Sequence, residues 1–190
     1  PRSRIMARNR DSKPRKMRPQ FLILCEGETE ENYINLLRQN YRLPIKIVSR
    51  IVGDKITQNV VSRHQETISG PIGPSNTFAM YDGDKLEVVN NLEKCHCTLL
   101  ISKPCIEVWF LSHFRKALQS QLTSHECLKQ LKDIPNWHDY KKAYLSEKQG
   151  MQLWENRMLA VNNMGSKNPN SNVYSSIFKF IQRLEEEKAK

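Results

Sequence analysis

The sequence predicts an α/β fold: a mostly parallel four-stranded sheet flanked by helices, with a helical C-terminal part. Three observations predict it. Phe21-Leu22-Ile23-Leu24-Cys25 is apolar without alternation and ends in a Gly-containing turn, which marks a strand buried on both faces. Strand-like and helix-like patterns then alternate up to about residue 101, as in a parallel sheet with crossover helices. From Ser102 onward the alternation stops and apolar residues recur at helical spacing.

The elements follow in order. Residues 1–18 form a basic arm, 19–116 a core, and 117–190 a helical region packed on that core. After the first strand, Glu26-Gly27-Glu28-Thr29-Glu30-Glu31 opens a helix expected over Thr29–Asn40, with Tyr33, Ile34, Leu36 and Leu37 on its apolar face. Helix N-termini favour acids, which accounts for Glu28 and Glu31 but not for Glu26 at the strand's very end. Ile45–Val48 reads as a second strand continuing toward Ile51-Val52 and ended by Gly53-Asp54. A weak helix is expected over Ile56–Gln65, then a loop over Ser69–Asn76. Thr77–Tyr81 is the third strand, ending in Asp82-Gly83-Asp84-Lys85, where Gly83 permits a tight turn. Leu86–Glu93 is helical in pattern and Thr98–Ile101 is the fourth strand. Pro104 suits the first turn of a further helix bearing Ile106, Glu107, Trp109, Phe110 and His113. Helical patterns continue to Leu159, and Ser171 or Asn172 is placed to cap a last helix carrying Val173, Tyr174, Ile177, Phe178, Phe180, Ile181 and Leu184.

Composition excludes several classes. At 190 residues, 38% hydrophobic and 26% charged, the chain reads as a soluble globular protein. Its apolar runs are too short to span a bilayer, and no signal-peptide pattern is present. The five cysteines form no disulfide framework, so reduced thiols and a cytoplasmic location are expected. Cys95-His96-Cys97 lacks a second Cys/His pair at zinc-finger spacing and reads as a turn. The net charge is +10, and the arm holds eight cations against Asp11 alone, so +7 of it lies there. Arg8, Arg10, Lys13, Arg15, Lys16 and Arg18 suit nucleic-acid phosphates, with a solubility tail as the plainer reading. No amphipathic stripe accompanies them, so no membrane partner is expected. No GxxxxGK[ST] run is present, so any ATP use belongs to another chain.

The chemistry lies at the strand ends, where open parallel sheets bind ligands. The first strand delivers Glu26 and, one helical turn on, Glu30; the third delivers Asp82 and Asp84; Glu107 follows the fourth. Each acid alone reads as a solvated turn or helix-start residue. Together, five carboxylates in one crevice would repel one another unless a cation sat among them. An all-oxygen donor set suits Mg²⁺ or Mn²⁺, and two such ions ~4 Å apart clamp the oxygens of a phosphodiester. His113, Trp109 and Phe110 read as core residues.

The pattern strand-EGxxE followed by strand-DxD resembles the toprim domain, a Rossmann-like catalytic unit of topoisomerases, bacterial primases and nucleases. FLILCEGETEENY, YDGD, KPCIEVWFLSHF and NPNSNVYSSIFKFI together resemble the RloB family of bacterial restriction and phage-defence loci, over about residues 18–184. The resemblance implies a toprim-like fold and Mg²⁺-dependent phosphodiester cleavage. Glu26 would be a metal ligand and general acid/base, and Glu30, Asp82, Asp84 and Glu107 would hold metal. Lys103 is the first candidate for the transition-state cation and Lys85, directly after Asp84, the second; Lys85 is also placed to meet a phosphate. The expected function is a metal-dependent nuclease in antiphage defence or abortive infection. Alternatives are an RNA- or tRNA-cleaving effector working beside an ATPase partner, and a non-catalytic nucleic-acid-binding subunit. DNA or RNA preference, cleavage specificity, trigger and oligomeric state, a homo-oligomer included, stay open. The C-terminal third reads as core packing ahead of a dimer surface or a lid.

Overall fold

The first strand, β1 (Phe21–Cys25), is buried along its whole length because it has a core on each side. Phe21, Ile23 and Cys25 face the larger core, while Leu22 and Leu24 face the smaller. Two apolar faces leave no position for a polar residue, which explains the unbroken apolar run. The computed structural model describes residues 20–43, 45–49, 55–68 and 72–190, with 46–49 described as backbone. The arm bearing Arg8, Arg10, Lys13, Arg15, Lys16 and Arg18 lies outside the described residues. So do the expected continuation of the second strand to Ile51-Val52, its Gly53-Asp54 end, and Ser69–Pro71.

Helix α1 (Glu28–Tyr41) leads to β2 (Ile45–Ser49), α2 (Gln58–Glu66), a 3-10 turn at Pro74–Asn76 and β3 (Thr77–Asp82). Then come α3 (Leu86–Leu92), β4 (Thr98–Lys103) and α4 (Glu107–Ser112). The strands stand in the order β2-β1-β3-β4 and are parallel, as the βαβ alternation predicts. α2 and α3 cover the smaller core with Val61, Val88 and Leu92. The larger core takes Tyr33, Ile34 and Leu37 of α1 and Val108–Leu111 of α4. It also takes apolar faces of α5 (Ser124–Lys132), α6 (Glu147–Glu155), α7 (Arg157–Gly165) and α8 (Phe178–Lys188). Capping boxes start α5 at Thr123/Glu126 and α6 at Ser146/Gln149.

Three expectations need correction. The sheet has a fifth strand, β5 (Tyr174–Ser175), antiparallel to β4, so it has five strands rather than four and is mixed, though mostly parallel as expected. Its serines hold it: Ser176 Oγ accepts from Ile101 N at 2.8 Å, and Ser102 and Ser175 hydroxyls lie 2.9 Å apart in the interior. Val173 and Tyr174 are therefore not helical, and Ser171 and Asn172 cap nothing: α8 starts after Ile177 with no side-chain cap. Pro104 does not open α4; it follows a cis Lys103–Pro104 bond, and the helix begins at Glu107. Cys95-His96-Cys97 forms a bend before β4, with Cys97 N donating to Cys95 O at 2.9 Å. Among the described residues, no helix is long and apolar enough to cross a membrane.

Candidate functional site

The carboxyl ends of β1 and β3 are joined by a side chain. Glu26 N donates to Met80 O at 3.0 Å, continuing the ladder one residue past β1. Its carboxylate then turns to β3, where Oε2 accepts from Asp82 N at 2.8 Å. Asp82 closes β3, and its Oδ1 is buried without a hydrogen-bond partner. Glu30, one turn into α1, is 6% exposed. Glu107, the first residue of α4, is fully buried. One of its oxygens accepts from Tyr140 OH at 3.2 Å; the other has no hydrogen bond.

Asp82 and Glu30 feel the neighbouring acids. Burial, then the charges of Glu30, Glu26 and Glu107, push Asp82 up to about 8. Burial, with Glu26 and Glu107 behind it, pushes Glu30 up to about 7. Lys142 works against both shifts, and its Nζ lies 3.9 Å from Glu107. Burial would lower the Lys142 pKa, but Glu107 and its neighbours outweigh it and the ammonium titrates above its ordinary value. Buried acids raised by one another's charge mark a candidate binding or catalytic centre.

The Lys141–Tyr144 turn carries Lys142 to the acids, and α1 grips that turn. Thr29 Oγ1 accepts from Ala143 N at 2.9 Å, and Asn32 Nδ2 donates to Ala143 O at 2.8 Å. Ala143 takes φ 65°, a left-handed conformation that side chains other than glycine seldom adopt, so both of its backbone polar groups are fixed in a strained turn. Gly27 lies close to Glu30 as well: a Cβ there would stand 3.2 Å from Oε2.

The other predicted residues are placed differently. Asp84 is exposed in the turn, outside the cluster that perturbs Asp82 and Glu30. Lys85 lies 4.0 Å from Glu26 Oε1 and is half exposed. Lys103 ends β4 with its stem against Gly83 and forms no ion pair with these acids among the described residues. Gly83 matters through this close approach: a Cβ would come within 2.7 Å of Lys103 Cγ and 2.8 Å of Ile101 Cγ2. His113 is buried, with Nδ1 2.8 Å from Trp109 O, and burial lowers it to about 4, so it is a neutral core histidine. Lys142 and Tyr140 were not foreseen, since no strand end or motif marks them.

Among the described residues, no group of three or more His, Cys, Asp or Glu side chains stands ready to hold a metal ion. The donors that fit a hard cation are Asp82 Oδ1 and Glu107 Oε2, buried and accepting no hydrogen bond, with Glu30 beside them and Lys142 facing Glu107.

Fold and site together define an α/β protein with an open, mostly parallel sheet and an acidic cluster at its strand ends. The chain belongs to the RloB-like protein family, whose model matches residues 21–184. No curated protein and no solved structure matches it.

Proposed function

We propose that this chain is a toprim-type, Mg²⁺- or Mn²⁺-dependent nuclease serving antiphage defence. The observation that carries the reading is a pair of buried oxygens, Asp82 Oδ1 and Glu107 Oε2, that accept no hydrogen bond, inside a cluster of acids that raises Asp82 and Glu30. A divalent cation would remove that repulsion, and an all-carboxylate donor set suits a hard ion. Bound there, it would polarise a phosphodiester and lower the pKa of an attacking water. Asp82, Glu107 and Glu30 would hold it. Glu26, tied to the Asp82 backbone, would keep the two strand ends in register and exchange a proton with water. The cation role expected of Lys103 passes to Lys142, which already faces Glu107. Lys85 and the basic arm would bind phosphates farther along the strand. An ATPase partner from a shared defence locus fits the family resemblance and would show as co-purification.

A cleavage assay with Mg²⁺ or Mn²⁺ on plasmid DNA, single-stranded DNA and total tRNA tests this. Cutting that disappears with EDTA and in Asp82→Ala supports the reading and chooses the substrate. Cutting retained in Asp82→Ala overturns the site assignment. The second reading, a non-catalytic nucleic-acid-binding subunit, is favoured by the lack of three acids in ready ligating geometry among the described residues. It predicts no cutting and no Mn²⁺ binding.

A further inference from the structure

We infer that the cleft between α1 and α6 is a nucleobase subsite, which seats a base of a single-stranded nucleic acid beside the acid cluster. The inference rests on the nuclease reading only for the neighbouring phosphate. The cleft encloses about 670 Å³, within the range of ordinary ligand sites. Asn32, Asn35 and Gln39 line it from one face of α1, at helical spacing. The amides of Asn35 and Gln39 make no hydrogen bond with any described residue, and each offers both a donor and an acceptor. Its floor is Leu36 packed on Gly150, where a Cβ would come within 3.1 Å of Leu36. The opposite wall presents Tyr144, 64% exposed, and Met151, 55% exposed.

Charge selects the occupant. No Lys or Arg lines the cleft, but Glu147 and Glu155 do. A phosphate is therefore repelled, whereas a flat neutral group with hydrogen-bonding edges fits the free amides and an aromatic face. Trp154 is not that face, because Arg157 lies 3.8 Å over its ring and Tyr41 packs edge-on against it. Tyr144 is the open platform.

The chain itself links cleft and acids. Lys142 reaches Glu107 and Tyr144 lines the cleft, two residues apart in the turn that Thr29 and Asn32 clamp. Two residues of chain span at most about 7 Å. That backbone spacing is about one nucleotide step, so a strand with a phosphate at Lys142 can set a neighbouring base over Tyr144. Paired bases in a duplex keep their faces and edges occupied, so the occupant is single-stranded. RNA and DNA both present such a base.

The test is fluorescence anisotropy with short end-labelled single strands of DNA and RNA, in EDTA so that cutting is silent. The expected result is that Tyr144→Ala weakens binding about ten-fold, since a stacked base contributes ~1–3 kcal/mol. Tyr144→Phe, which keeps the ring, should bind like wild type. A strand with abasic sites should bind weakly to wild type and no more weakly to Tyr144→Ala. Unchanged binding by Tyr144→Ala, equal binding of the abasic strand, or no binding of any single strand would overturn the subsite. Adding Mg²⁺ or Mn²⁺ separates the two readings. Tyr144-dependent binding without cutting leaves the subsite and removes the nuclease. Asp82-dependent cutting that Tyr144→Ala matches in affinity and rate leaves the nuclease and removes the subsite.

Discussion

The two ends of α1 treat a glutamate in opposite ways. At the far end, Glu185 of α8 is paired through Oε1, to which Tyr41 OH donates at 2.5 Å and Arg157 Nε at 2.9 Å. Burial alone would raise Glu185, but those two hydrogen bonds outweigh it and its pKa is lowered. Arg157 also stacks on Trp154, so one guanidinium ties α1, α6 and α8 together. At the near end, Glu30 is buried among Glu26, Asp82 and Glu107, with Lys142 as the cation that opposes its shift. The ends differ in burial as well as in partners: the Glu185 side chain is 30% exposed, whereas Glu30 is buried. The satisfied end holds helices together, and the unsatisfied end is where the proposed cation would sit.

The difference can be broken or sharpened experimentally. The largest effect is expected at the near end: Asp82→Ala should lower metal-dependent cleavage at least ~10³-fold, about 4 kcal/mol of transition-state stabilisation. Circular dichroism should show the fold retained. At the far end, Arg157→Ala should cost about 2 kcal/mol of stability and leave the acids' chemistry in place, read by urea denaturation.

A pH series compares the signs. Asp82 and Glu30 keep protons in the fold that the unfolded chain releases near pH 4. Their contribution is fully present below that pH and is lost as pH rises through about 7 for Glu30 and about 8 for Asp82. Metal-free protein should therefore melt lower at pH 8 than at pH 5. Asp82→Asn should recover about 1–2 kcal/mol at pH 8 and nothing at pH 4. Mn²⁺ should raise the wild-type melting temperature at pH 8 and raise that of Asp82→Asn much less. The smallest effect is expected for Asn32→Ala, about 1 kcal/mol, from the loss of one hydrogen bond to the Ala143 carbonyl.

The sequence displays what is local. β1 is legible because both of its faces are buried, so no polar residue interrupts it. Glu26, Asp82 and Glu107 are legible because each sits at or just past a strand end, the one place where an α/β sheet offers open backbone to a ligand. The DxD spacing cannot tell Asp82 from Asp84; burial does, by drawing one into the cluster and leaving the other exposed. Lys142 and Tyr140 are invisible for a different reason. They reach Glu107 across more than thirty intervening residues, through contacts that only tertiary packing creates. β5 is too short at two residues for any periodicity to mark, and the apolar pattern around it reads as helix until its serines are seen bonding β4.

That short strand has a consequence for how the chain is made. β4 is completed by Lys103, but its open edge is paired by Tyr174, Ser175 and Ser176, some seventy residues later. While the protein is being synthesised, β4 presents unpaired amides and carbonyls until those residues leave the ribosome. The sheet is therefore finished late, and a nascent chain stalled before Tyr174 would carry a sticky edge inviting chaperones or self-association.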